Sequence, residues 1–268
     1  MAIRPDPARI TRASAANPQI PTASPLSGGD AALEAERVVL PYRSDADVTA
    51  TFQHLLMADA PIMCGGGNQP VVALTFEDGP GLHTESTVRL LDERGARATF
   101  FLNGTGLSAF GSAVRDIPEV GDVGNHGWSH QGLVGADPDL LTAEIDVLQA
   151  RLAQMTTGPP RLFRPPHNAH DESVDDRAVS LGMLTVLSTV DPGHEAVSSA
   201  EVWAALERGI RPGAIVTLHE NQEATQEFLP DVLDLIEERG LLPVTVPELL
   251  AYDPPSPEQL KDGTCPSS

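Results

Sequence analysis

The chain has 268 residues, 41% of them hydrophobic, which is enough for a sizeable core in one large domain with or without an appendage. Lys and Arg number 17 against 38 Asp and Glu, a formal charge of -21. That balance argues against nucleic-acid or anionic-membrane partners, which need a positive face, and against a polyanionic substrate. No apolar run reaches the ~18 residues that a membrane helix requires.

Residues 1–30 are rich in Pro, Ser and Ala without hydrophobic periodicity and read as a disordered tail. They lack the continuous apolar core of an intact signal peptide. The protein is therefore either cytoplasmic or exported with its signal removed. Residues 31–68 form an N-terminal extension of unassigned role, with a helix and a short strand expected in "AALEAERVVLPY", followed by "SDADVTATFQHLLMADA". "CGGGNQP" is a breaker-rich joint.

From residue 71 the chain alternates. Strand-like apolar runs fall at 71–76, 98–102, 119–124, 161–164, 184–190, 214–218 and 242–245. Helical patterns fall at 84–94, 139–154, 172–181, 200–208 and 226–239, and Gly95, Gly182, Gly209 and Gly240 follow four of them as stop signals. Short buried strands alternating with helices predict an α/β domain with a parallel sheet. Seven such units predict a closed or nearly closed barrel over residues 69–252, leaving 253–268 as a C-terminal tail. Cys64 and Cys265 have no CxxC pattern and no nearby His, so they do not read as a metal site. A disulfide tying the tail to the joint and a pair of unpaired thiols both remain open; the disulfide would favour an oxidising compartment.

In a parallel barrel the reactive groups sit at the C-terminal ends of the strands. Glu77 and Asp78 follow the first strand. "GNHGWSH" follows the third with His126 and His130, and "FRPPH" follows the fourth with Arg164 and His167. "STVDPGH" follows the fifth with Asp191 and His194, and "VTLHE" ends the sixth with His219. Each is unremarkable alone; five ionisable strand ends together predict a functional cleft. Two His four apart on a helical turn would present both imidazoles on one face, and a carboxylate would complete an open N2O metal set. The second acid would be free to take a proton from the attacking water, and His219 to protonate the leaving group.

Residues 71 to about 250 resemble the NodB-homology polysaccharide deacetylases, carbohydrate esterase family four. "TFEDGP" is similar to that family's first motif TFDDGP, "HGWSH" to H-[ST]-x-x-H, "RPPH" to RPPY, "VDP" to part of the fourth and "TLH" to Leu-x-His. The resemblance implies a distorted (β/α)7-type barrel and one divalent metal, zinc above others, held by Asp78, His126 and His130. It implies Glu77 as base, Arg164 orienting it, His219 as acid and Asp191 tuning that histidine. Pro166, His167 and Leu218 would contact substrate, with Leu218 lining an acetyl-methyl pocket and a backbone N–H beside His167 serving the oxyanion.

The chain departs from the family where chemistry is most sensitive. Glu77 replaces the family's Asp and adds one methylene, about 1.5 Å of reach. Gly127 replaces Ser or Thr, His167 replaces Tyr, and no Trp follows "VDP". Trp128, inside the second motif, reads as structural. The leading expectation is a secreted, monomeric, metal-dependent deacetylase of chitin, peptidoglycan or acetylxylan. The alternatives are a deacylase, amidase or cyclising enzyme of small-molecule metabolism on the same fold, and a carbohydrate-binding pseudoenzyme that keeps its metal.

Overall fold

A computed structural model of the chain describes residues 45–58, 60–193 and 199–266. The expected tail over 1–30, the "AALEAERVVLPY" elements and His194 lie outside the described residues.

Among the described residues, seven strands form one parallel sheet: β1 (Val71–Gly79), β2 (Ala98–Leu102), β3 (Gly121–Asn125), β4 (Leu162–Phe163), β5 (Leu184–Thr185), β6 (Ile215–His219) and β7 (Leu242–Val244). Their order is β5-β4-β3-β2-β1-β6, with β7 pairing to the first half of β1. The sheet curls back on itself. After β5 the chain bridges from Ile62–Val186 to Val190–Val216, which brings the β5 end of the sheet to β6. This is the α/β distorted barrel expected, with part of its closure made by single bridges.

Period-2 alternation in β1 sorts its side chains between two cores. Val72, Leu74 and Phe76 pack outward with Val88 and Leu91 of the helix Thr84–Arg94, and with Leu229 and Val232 of the helix Glu223–Glu238. Val71 and Ala73 point inward with Phe101, Ile215 and Val186. Each fully buried aliphatic or aromatic side chain contributes roughly 1.5–3 kcal/mol. Thr75 and Glu77 continue the inward row, so the same alternation that buries Val71 carries a carboxylate into the barrel mouth.

The segment before β1 also belongs to the inner core. Phe52 and Leu55 of the helix Asp45–Met57 pack with Val246 and Leu249, and Ile62 pairs with Val186. Cys64 and Cys265 are disulfide-bonded, 201 residues apart in sequence with Cα atoms 5.9 Å apart. The tail beyond residue 253 includes the helix Pro257–Asp262. No helix among the described residues is long and apolar enough to cross a membrane.

Several expected boundaries shift. The strand expected over 184–190 is only Leu184–Thr185, with Val186 and Val190 in isolated bridges. Residues 119–120 close the short helix Ile117–Val120, which carries Pro118 in its first turn, and β3 starts at Gly121. Only glycine fits there, because a Cβ would lie 1.7 Å from the Ala98 carbonyl oxygen. The helix expected over 139–154 is Pro138–Leu141 and Val147–Ala153 joined through a π-turn at Thr142–Asp146. Gly209 is the last residue of the helix Ser199–Gly209, packed against Val190, whereas Gly95, Gly182 and Gly240 take positive φ beyond their helices.

Candidate active site

Arg164 follows β4 and is fully buried inside the barrel. Its Nη1 donates to Glu77 Oε1 (3.0 Å), Thr75 Oγ1 (2.8 Å) and Thr217 Oγ1 (2.8 Å), and its Nε donates to the Val186 carbonyl (3.1 Å). The guanidinium also lies 4.2 Å from the centre of the Phe101 ring. A buried cation needs this many partners. The second Glu77 oxygen, Oε2, lies 3.3 Å from His219 Nε2 and 3.7 Å from His126 Nε2. Burial works to raise the Glu77 pKa. The charges of His126 and Arg164 and the hydrogen bond and charge of His219 outweigh it and hold the carboxyl well below the usual range.

Alternation alone would send Asp78 to the opposite face from Glu77. The β1–β2 register shifts between Glu77 and Gly79, and Asp78 takes φ 68. This bulge turns Asp78 back toward the mouth, so two adjacent acids reach one site. Its Oδ1 accepts from Asn103 Nδ2 (3.1 Å), and its Oδ2 accepts from Asn221 Nδ2 (3.3 Å).

Among the described residues, Asp78, His126 and His130 each offer a ligand atom, all within 4.8 Å of one another. His126 Nδ1 donates to the Arg164 carbonyl (2.7 Å), since a carbonyl only accepts. In the neutral tautomer that a metal ligand requires, the buried Nε2 is a lone pair aimed at the cluster, and no hydrogen-bond partner meets it. An orphaned imidazole nitrogen beside a carboxylate and a second imidazole fits a metal ion. The two histidines are not on a helical turn, as their spacing suggested. They lie in a loop in which Gly127 (φ 76) and His130 (φ 59) are both left-handed. Buried Glu144 shapes this loop, accepting from Ser129 N (2.8 Å), Ser129 Oγ (2.7 Å) and Gln131 Nε2 (2.8 Å).

His219 ends β6 and is buried. Burial alone would lower its pKa, but the hydrogen bond and charge of Glu77, then the charges of Asp191 and Asp78, raise it above the ordinary value. Asp191 Oδ1 is 3.9 Å from His219 Nε2, farther than Glu77. Leu218 lines a small cavity with His219, Pro192 and Gly193. Pro166 is buried, and His167 (φ 62) sets its ring edge-on to His130, centroids 4.6 Å apart. Trp128 packs on the core beneath Gly104, where a Cβ would come within 2.3 Å of the indole.

Sequence reasoning missed Asn103, Asn221, Glu144 and Asn168, none of which carries a motif of its own. A stronger signal lies in the backbone. The four non-glycine residues with positive φ among the described residues are Asp78, His130, His167 and Asn168, all in this site. Such conformations cost about 1–3 kcal/mol each and concentrate where function imposes them.

A family model described as polysaccharide deacetylase matches residues 65–186. A chitin deacetylase from Pestalotiopsis sp is 30% identical over 183 residues, 65% of this chain and 61% of that protein. A peptidoglycan-N-acetylglucosamine deacetylase from Bacillus cereus is 29% identical over 199 residues, 69% of this chain and 90% of that protein. Among solved structures, a mutant of a family 4 pseudoenzyme from Bacillus anthracis, with restored enzymatic activity, is similar with a TM-score of 0.66. It is 27% identical, over 72% of this chain and 71% of that one. With the five strand-end motifs in order on a curled parallel sheet, these likenesses support the NodB-homology polysaccharide deacetylases, carbohydrate esterase family four, as the family of this chain.

Proposed function

We propose that this chain is a metal-dependent hydrolase that removes acetyl groups from an N- or O-acetylated carbohydrate of the chitin, peptidoglycan or acetylxylan kind. The observation that carries this reading is the pairing of Glu77 with His219 beside the Asp78–His126–His130 cluster. It sets a carboxyl whose pKa is held down against an imidazole whose pKa is raised, and those directions favour the charged forms that a base and an acid use.

Asp78, His126 and His130 would hold one divalent ion, and their N2O donor set suits zinc. When bound, such an ion polarises an acyl carbonyl and acidifies water. Glu77, gripped by Arg164, takes the proton of the attacking water. His219, its pKa raised by Glu77 and Asp191, gives its proton to the leaving nitrogen or oxygen as the acyl bond breaks. The backbone N–H beside His167 is the oxyanion donor that the family pattern supplies, and Leu218 with Pro166 bounds the space for the acetyl group. The Cys64–Cys265 bond supports action outside the cytoplasm.

Acetate release from N-acetylglucosamine oligomers and from acetylated xylan, with zinc supplied, tests the reading. Release from neither substrate sinks it. One observation favours a second reading, a metal-keeping pseudoenzyme: Glu77 stands where the family carries Asp, and a pseudoenzyme is among the similar structures.

A further inference from the structure

We infer that Asn168 is a positioning residue for the proposed deacetylation, fixing Asp191 beside His219 and tying it to the arginine that grips the base. The inference rests on the reading above for its catalytic consequence, but its geometry stands on Asn168 and Ser188, which no motif of the family names.

Asn168 Nδ2 donates to Asp191 Oδ2 (3.2 Å). Its Oδ1 accepts from both the backbone N–H and the hydroxyl of Ser188, each at 3.3 Å. The amide can sit only one way round, because the carboxylate only accepts and the Ser188 N–H only donates. The Ser188 and Thr217 hydroxyl oxygens are 2.7 Å apart, and Thr217 Oγ1 accepts from Arg164 Nη1 at 2.8 Å. With the Ser188 proton given to Asn168, the Thr217 proton goes to Ser188. The donors then run in one direction, from Arg164 through Thr217, Ser188 and Asn168 to Asp191. The same Arg164 Nη1 holds Glu77 at 3.0 Å. The two carboxylates that set the state of His219 are thus anchored at the two ends of one hydrogen-bonded chain.

Asp191 needs an anchor. It lies on the exposed rim, where a short side chain is free to change rotamer, and its other oxygen accepts from Gly193 N (2.8 Å). Asn168 supplies the side-chain contact that aims Oδ1 at His219.

The bland account is that Asn168 is present because Asn tolerates φ 53 in a turn. Glycine tolerates that backbone better and deletes only the side chain, so Asn168→Gly separates the two accounts. Positioning predicts a fall in kcat of roughly 10-fold on an acetylated substrate, since misplacement of reacting groups by about 1 Å costs up to ~100-fold. KM and zinc content should stay at parental values. Asn168→Asp, the same size but with an oxygen facing Asp191, should fall at least as far. In a crystal structure of Asn168→Gly, Asp191 should leave its position near His219. Parental kcat in Asn168→Gly, or an undisturbed Asp191 in its crystal structure, overturns the inference. If the parent releases no acetate from any acetylated carbohydrate, the proposed function fails, while the position of Asp191 in the variant still decides the role of Asn168.

Discussion

Glu77 Oε2 lies 3.3 Å from His219 Nε2, so each of the two groups favours the charged form of the other across the site. The contact explains how a longer acid is accommodated. Arg164 fixes one oxygen of Glu77, and the additional methylene carries the other toward both His219 and His126. A shorter side chain held by the same arginine would stop about 1.5 Å sooner.

The metal cluster makes the most direct prediction. His126→Ala and His130→Ala should each abolish stoichiometric zinc, measured by elemental analysis of protein purified in its presence, while the parent keeps about one ion per chain. His126 is the more informative position, because no hydrogen bond meets its buried Nε2. One tightly held zinc per chain in either variant would remove this site.

The sequence made the seven strands legible because hydrophobic alternation is local, and β2 and the helix Thr84–Arg94 occupy the expected residues. The strand-end acids and imidazoles were legible through their order. The bulge at Asp78 was not, since a period-2 pattern carries no sign of a register shift. The helical turn expected for His126 and His130 fails at Gly127, whose left-handed backbone opens a loop that Glu144 then holds from 15 residues away at Ser129. Asn103, Asn168 and Asn221 act across the fold, and nothing beside them in the chain announces a partner.

Glu220 gives a pH prediction on stability. Its side chain is buried against Gly79, where a Cβ would lie 1.7 Å from Oε2. Burial pushes its carboxyl up to about 7 from 4.5, with the Thr84 hydroxyl opposing and the Asp78 charge adding. The folded chain therefore binds this proton more tightly than the unfolded chain. The contribution is complete below the unfolded value and is lost as pH rises through the folded one, a total of about 3 kcal/mol. Denaturant unfolding of chelated protein should find Glu220→Gln gaining on the parent by about that amount between about pH 5 and about pH 8. An equal stability difference at both pH values would contradict the assignment.

The Cys64–Cys265 bond closes a loop of 201 residues. In the chain-entropy model such a closure stabilises by ~5 kcal/mol, and real bridges often give less. Thiol titration of denatured, unreduced protein should find none free, and reduction should lower the melting temperature. Two free thiols in protein made under oxidising conditions would withdraw the argument for an extracellular site of action.

Glu77 itself separates enzyme from pseudoenzyme. Glu77→Gln keeps the shape of the side chain and removes its charge, so zinc should still bind while turnover falls by roughly 100- to 10,000-fold, the usual worth of a general base. Glu77→Asp restores the family residue but shortens the reach. If the site is built around glutamate, as the Arg164 and His219 contacts support, the Asp oxygens fall short of His219 and activity drops below that of the parent. A retired site predicts the opposite, with acetate release rising well above the parent once the family residue returns. The measurement is acetate released per zinc-loaded chain from one acetylated substrate, compared among the parent and both variants. An inactive parent beside an active Glu77→Asp variant would identify the chain as a pseudoenzyme whose first motif alone had lapsed.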